Sequence, residues 1–303
     1  MKHRRAFISF PQIHGISEDL LAAQKMVAGL NVSFSVTVAS MDGMGGVASI
    51  DIYNLNREDM QFLTTTAAHW VEQQSIIQLY VGYDDDVRCV FSGAVMDALP
   101  QGYPDLVLHI KAESGPLWST KILDIKKANL KIMDLVDYVS SATGYPVNIP
   151  TWVRQGNELL NKRLDSYSYT GNAWKLLDEI QEMIGGFNIS EKSVFLSCYN
   201  SQITLWSPQV REGEQKLLIS DETGMVGVPN PMNAGVEVTT LLNPLINIGD
   251  TIHLETKRVP IAVGDYKIKE YTHVGELRGN NFYTKIKASF PNNRLLGQSP
   301  IGG

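Results

Sequence analysis

The side chains with chemical potential fall into a few groups, and each must meet a spacing requirement before it becomes a site. Gly43 to Gly46 come nearest to a glycine-rich phosphate loop. Such a loop cradles phosphate when it opens a helix and carries a following Lys-Ser or Lys-Thr. Here it joins two alternating apolar stretches and reads as a hairpin turn. Asp84, Asp85 and Asp86 offer oxygen ligands, but the spaced positions, turn glycine and closing Glu of a calcium loop are missing, so the run reads as a solvated hairpin tip. The six histidines, His3, His14, His69, His109, His253 and His273, are scattered, with no His-Glu-x-x-His pair for zinc. His253-Leu254-Glu255 has the His-x-Glu of zinc deaminases without the Pro-Cys-x-x-Cys that completes it. Cys89 and Cys198 lie in apolar, strand-like runs and read as small buried hydrophobes, as suits a reducing compartment. No Gly-x-Ser-x-Gly elbow is present. Carboxylate pairs for glycoside cleavage are not decided by the sequence, because 32 acidic residues supply many accidental pairs. Trp118, Trp152, Trp174 and Trp206 gather around the centre, where they serve better as anchors for thin cores than as a sugar platform. The expectation is a protein with no catalytic, cofactor or metal residues.

The elements around these groups are mostly strands. Asn31 to Ser40 alternates, with Val32, Phe34, Val36 and Val38 on one side and Ser33, Ser35 and Thr37 on the other; the pattern resumes at Ala48, Ile50 and Ile52. Asn56 then caps a helix whose apolar face is Met60, Leu63, Ala67, Trp70 and Val71. Strands are predicted at Ile76 to Tyr83, Val87 to Val95 and Asp105 to Ala112, the last two joined by a turn over Pro100 to Pro104. Between about Gly115 and Pro208 helical periods take over. Ile132, Leu135, Val136 and Val139 make one face, ended by Gly144 and followed by the extended run Tyr145 to Ile149; Ala173, Leu177, Ile180 and Ile184 make a second, ended by Gly185 and followed by Phe187 to Ile189. Strands return at Gly235 to Thr240, Thr251 to Thr256, Val263 to His273 and Phe282 to Phe290. The expected division is an N-terminal arm at 1–30, a β domain at 31–115, an α/β insertion of two similar helix-plus-strand units at 116–208, a second β domain at 209–291 and a loose tail at 292–303.

Bulk properties remove several function classes. A chain of 303 residues can bury roughly three quarters of its unfolded surface without disulfides. Its 26 Lys and Arg against 32 Asp and Glu give a net charge of −6 with no basic stripe, so sequence-specific nucleic-acid binding is not expected. A mildly acidic surface is compatible with nucleic acid sliding past. The apolar stretch that follows the basic start ends at Pro11, too short for a signal-peptide core, and no apolar run is long enough to span a membrane.

Two stretches are more specific: Asn31 to Asp59, ending Ile50-Asp51-Ile52-Tyr53-Asn54-Leu55-Asn56-Arg57-Glu58-Asp59, and Gly235 to Asp250, containing Leu242-Asn243-Pro244-Leu245-Ile246-Asn247-Ile248-Gly249. With the β, α/β, β order, the chain resembles the baseplate hub proteins of tailed bacteriophages. The resemblance implies an α+β, mostly β fold with two antiparallel, barrel-like tube domains flanking the insertion. It also implies a homotrimer, a pseudo-sixfold ring that adapts a sixfold tail tube to a threefold central spike and forms part of the DNA conduit. Partners would be the tube or tube-initiator protein, the spike and wedge proteins; the place would be the virion tail baseplate, assembled in the host cytoplasm, with a contractile tail the preferred type. Leu55, Asn56, Leu242, Asn243, Pro244 and Gly249 are the expected interface positions. The competing readings are a tail-tube initiator or distal-tail component, and a tail-associated cell-wall hydrolase.

Overall fold

The computed structural model describes residues 3–9, 30–39, 45–57, 60, 64, 76–102, 106–114, 122–185, 193–211 and 213–291. The predicted helix of Met60 to Val71 falls mostly outside the described residues, although Arg57, Met60 and Thr64 are helical and the Met60 N–H donates to Asn56 O at 3.0 Å. Most of the glycine turn, the tip of the Pro100 to Pro104 turn, Phe187 to Ile189 and the tail also lie outside them, as do His14, His69 and Trp118.

The N-terminal strands are β1 (Arg4–Ser9), β2 (Val32–Ala39), β3 (Gly46–Tyr53), β4 (Ile76–Tyr83), β5 (Asp86–Gln101) and β6 (Val107–Ser114). β2 follows its pattern: Val32, Phe34, Val36 and Val38 are buried while Ser33, Ser35 and Thr37 stand on the open face. β1 lies within the segment expected as an arm, but Ala6 and Ile8 are buried and the strand pairs antiparallel with β4, Arg4 opposite Tyr83.

A central unit follows. β7 (Ile122–Lys131) leads into α1 (Ile132–Thr143), and β9 (Arg163–Asn172) leads into α3 (Ala173–Ile184); β8 (Val147–Asn148) and α2 (Thr151–Gly156) lie between, and β10 (Phe195–Tyr199) and β11 (Gln202–Trp206) close the unit. Asp134 accepts from the Lys131 N–H at the start of α1, and Asn172 caps α3 through the Lys175 N–H at 2.9 Å. The Gly144 backbone adopts φ +75° to end α1, as its position predicts. The extended run expected after α1 contains β8, while the one expected after α3, Phe187 to Ile189, lies outside the described residues. Each helix follows the strand it is matched with, and β7 and β9 pair antiparallel from Ile122 opposite Asn172 to Lys131 opposite Arg163.

The C-terminal strands are β12 (Lys216–Ser220), β13 (Met225–Met232), β14 (Gly235–Leu241), β15 (Thr251–Glu255), β16 (Gly264–Glu276) and β17 (Phe282–Ser289). They join the N-terminal set in one 12-stranded sheet, so where two barrel-like domains were expected the described strands form one open sheet and no closed barrel. The physical reason is the second edge of β2. It is taken by β16 of the other half, Ala39 opposite Glu270 through Ser33 opposite Glu276, and does not return to its own half.

The two halves nevertheless use one strand order. The first runs β2-β3-β6-β5-β4-β1 and the second β13-β14-β17-β16-β15-β12. The fourth strand of each is long and bulged at the same place: β5 between Val95 and Asp97, opposite Ala112 and Lys111, and β16 between Ile268 and Glu270, opposite Ala288 and Lys287. They differ at the last step, where β1 pairs antiparallel and β12 parallel.

The seam between the halves is tight. A Cβ on Gly275 would come within 2.1 Å of Phe34 Cζ on the facing strand. Gly275→Ala should therefore cost about 1–3 kcal/mol by overpacking. Gly156→Ala, where a Cβ meets nothing within 4 Å, serves as the control; equal urea midpoints for the two variants would refute a packed seam.

Candidate functional site

Eight strands, β5-β6-β3-β2-β16-β17-β14-β13, run side by side across both halves. One face packs into the main core and the other carries polar side chains. Ser33, Ser35, Thr37, Ser49, Thr239 and Thr272 give the open face short hydroxyls. Its charges are Asp51, Asp97, Glu113, Glu237, Glu270 and Glu276 against Lys111, Lys285 and Lys287, so the face is acidic. Several charges are held by neighbours: Lys287 Nζ meets Glu270 at 2.7 Å, and His109 Nδ1 meets Asp51 at 2.6 Å. The hydrogen bond with Glu270 raises the Lys287 ammonium above its ordinary range, against a smaller opposing effect of burial. Across the seam, Thr37 and Thr272 share a hydroxyl hydrogen bond of 3.0 Å.

Beneath the seam, His273 is fully buried, and burial pushes its imidazole down to about 3. The Asn243 N–H donates to Thr284 Oγ1 at 3.0 Å, and the same hydroxyl shares a hydrogen bond of 2.8 Å with His273 Nδ1. Nearby, Lys267 is 3% exposed and its ammonium bonds Glu214 and the Gly249 carbonyl, while Thr251 Oγ1 donates to Glu214 at 2.8 Å. Burial alone would raise the Glu214 carboxyl, but the Lys267 hydrogen bond leads the groups that bring it below the ordinary range. Asp250 beside them is raised, mainly by burial.

The expected interface residues fall into two places. Leu55 packs partly buried against the main core and Asn56 is exposed, both just after β3. Leu242, Asn243, Pro244 and Gly249 share the loop after β14, the corresponding strand. Residues of the second place also have roles within the chain. Leu242 is core, Asn243 Oδ1 accepts the Leu245 N–H, and Gly249 adopts φ +85° where a Cβ would lie 2.4 Å from Trp206 Cβ. That contact, with Phe195 and Tyr199 in the main core, docks the central unit onto the C-terminal strands. Trp206 is thus an anchor, and Trp152 stacks under Arg211 at 4.2 Å.

The side chains that invited a catalytic reading are otherwise employed. Burial raises both thiols, Cys198 most, and the Cys89 S–H donates to Phe91 O at 3.3 Å. The Asp265–His253 contact of 2.6 Å leads on to Glu255, and Ser33 bonds Asp51 rather than His109. Neither arrangement puts a nucleophile on the free ring nitrogen, as acyl transfer requires. Among the described residues no cluster of His, Cys, Asp and Glu suits a metal ion, and no helix is long and apolar enough to cross a membrane. What the sequence reading missed are the edges of β13 and of the distal part of β5, which no strand covers among the described residues and where Leu99, Val226 and Val228 are exposed beside Pro100 and Pro231.

The fold is shared with solved structures of tail proteins and of a type VI secretion component. The 43 kDa tail protein of prophage MuSo2 from Shewanella oneidensis aligns with a TM-score of 0.56 at 10% identity, covering 97% of this chain and 98% of that one. A tail protein from Neisseria meningitidis MC58 aligns at 0.58 and 8%, covering 96% and 99%. The Escherichia coli c3393 protein, a type VI secretion component described as structurally similar to the T4 tail proteins gp27 and gp5, aligns at 0.58 and 9%, covering 98% and 81%. No curated protein matches the sequence. The family described as "Baseplate hub gp41" matches residues 16–288, nearly the whole two-halved fold, and the chain belongs to that baseplate hub family.

Proposed function

We propose that this chain is a non-catalytic hub subunit of a phage tail baseplate, working as a homotrimer that joins a sixfold tail tube to a threefold spike. The observation that carries this is the repeated strand order in the two halves. A subunit holding two equivalent units presents six similar surfaces when three copies close, which answers the mismatch between sixfold and threefold neighbours. The domain division of 31–115 and 209–291 around an insertion at 116–208 belongs to the same reading, and so do two barrel-like tube domains, formed when neighbours cover the sheet edges. Three copies of the eight-strand run would make a ring of about 24 strands, wide enough to leave an aqueous lumen.

The hydroxyl-rich, acidic face would line that lumen. Duplex DNA carries dense negative charge, so such a wall repels it and lets it pass without adhering. Tube or tube-initiator, spike and wedge proteins would meet the rims, with assembly in the host cytoplasm ahead of incorporation into the virion. The purified protein should elute as a trimer by light scattering and appear as rings in negative stain. A stable monomer that clears cell walls in a zymogram would favour the hydrolase reading instead.

A further inference from the structure

The seam inside the chain is a template for the joint between chains, an inference that rests on the ring reading above. Within one chain, the first strand of the N-terminal half, β2, pairs with the distal part of the bulged fourth strand of the C-terminal half, β16. By the shared order, the two unpaired counterparts are the first strand of the C-terminal half, β13, and the distal part of β5. β4 covers β5 only as far as Ala94, so the far edge of Val95 to Gln101 carries no strand among the described residues. β13 is the terminal strand of the eight-strand run. Both edges carry exposed apolar side chains, Leu99 at 49%, Val226 at 43% and Val228 at 54%, which is unusual for an edge left in water.

The register follows from the two bulges and the two hairpins. Asp97 of β5 and Glu270 of β16 both follow the bulge and both stand opposite a lysine, Lys111 and Lys287, so Leu99 corresponds to Thr272 and Pro100 to His273. On the other side, Asn230 faces Glu237 and Met232 faces Gly235 as Ser35 faces Ser49 and Thr37 faces Val47, so Met232 corresponds to Thr37 and Pro231 to Val36. We infer that in the assembled ring Asn230 to Met232 of one copy lies antiparallel to Leu99 to Gln101 of the next, with Met232 beside Leu99 and Pro231 facing Pro100. The Thr37 to Thr272 hydroxyl pair of the internal seam is replaced by an apolar pair. Where Val36 and His273 would exchange backbone hydrogen bonds, both counterparts are proline and have no N–H to offer. The free chain therefore shows an edge that resists uncontrolled strand addition, and the joint closes through side chains.

Met232 and Leu99 would form a pair without backbone hydrogen bonds, whose Cα atoms lie about 4.5–5.5 Å apart, inside the disulfide range. The test is the Met232→Cys, Leu99→Cys protein in a Cys89→Ser background, oxidised and run on a non-reducing gel. Each single-cysteine variant is the control, and light scattering of the reduced protein reports assembly. The expected result is a covalent dimer and trimer ladder from the double variant alone, formed about tenfold faster than from Met232→Cys with Gln101→Cys, whose positions lie farther apart. A reduced trimer that fails to cross-link overturns this joint and leaves the ring standing. A protein monomeric at every concentration overturns the ring as well, and a compacted monomer band overturns the joint by putting both edges in one chain.

Discussion

Between pH 6.5 and about pH 5 the protein should lose roughly 2 kcal/mol of stability through one side chain, His273. The folded state holds this imidazole neutral down to about pH 3, whereas the unfolded chain protonates it near 6.5. The unfolded state thus binds the extra proton throughout that window, so the contribution of His273 is complete above pH 6.5 and is lost as pH falls, by about 1.4 kcal/mol per unit. The burial is total, so solvent screening does not soften the effect. Glu214 and Asp265 are held below their ordinary ranges and act at lower pH, whereas Asp250 and Asp178 are raised by burial and add stability as pH falls, so the comparison with a His273 variant is what isolates the imidazole. His273 faces Val36 across the seam and Thr284 on the other side, so its protonation would open the junction of the two halves first. His273→Gln keeps a hydrogen-bonding partner for the Thr284 hydroxyl and removes the titration. Urea titrations at pH 7.5, 6.5 and 5 should give a shallower loss for the variant than for the native chain. Parallel curves would show that His273 does not set the acid response.

How far the sequence could be read is clearest strand by strand. β2 and β14 were legible because each alternates, and α1 and α3 because their apolar positions recur at helical spacing and stop at glycine. β13 was not, because Pro229 and Pro231 interrupt Met225 to Met232, and a proline normally demotes a strand. It survives since the unpaired side of Pro231 faces the edge, where a missing donor costs nothing. β7 was missed because Lys127 and Asn129 fall where the alternation of Leu123 and Ile125 calls for apolar residues, and β9 because Leu164 is out of phase with Tyr167 and Tyr169. The seam was invisible for a different reason: nothing local to Ser33 records that its partner is Glu276. The same holds at the site. Turn chemistry drew attention to Asn243 and Gly249, yet only the fold reveals that one relays a hydrogen bond toward His273 and the other makes room for Trp206.

The ion pair beneath that loop should produce the second large effect, and an asymmetric one. Glu214→Ala leaves the Lys267 ammonium, with its side chain 4% exposed, the Gly249 carbonyl at 3.3 Å as hydrogen-bond partner and the charge of Asp250, without a direct ion pair. Stranding a buried charge in this way costs about 3–5 kcal/mol. Lys267→Met leaves a carboxylate that is 27% exposed and still accepts from the Arg211 N–H at 3.1 Å and the Thr251 hydroxyl, so the loss should be nearer 1–3 kcal/mol. In the double variant no charge is stranded, and the total should fall well short of the sum of the singles. Glu214 belongs to the link between the central unit and β12, whereas Lys267 lies in β16, so the pair ties the unit to the sheet. A double-mutant cycle by thermal unfolding measures this directly. If the two single variants lose equal stability and their effects add, the pair is a surface contact with no part in holding the central unit in place.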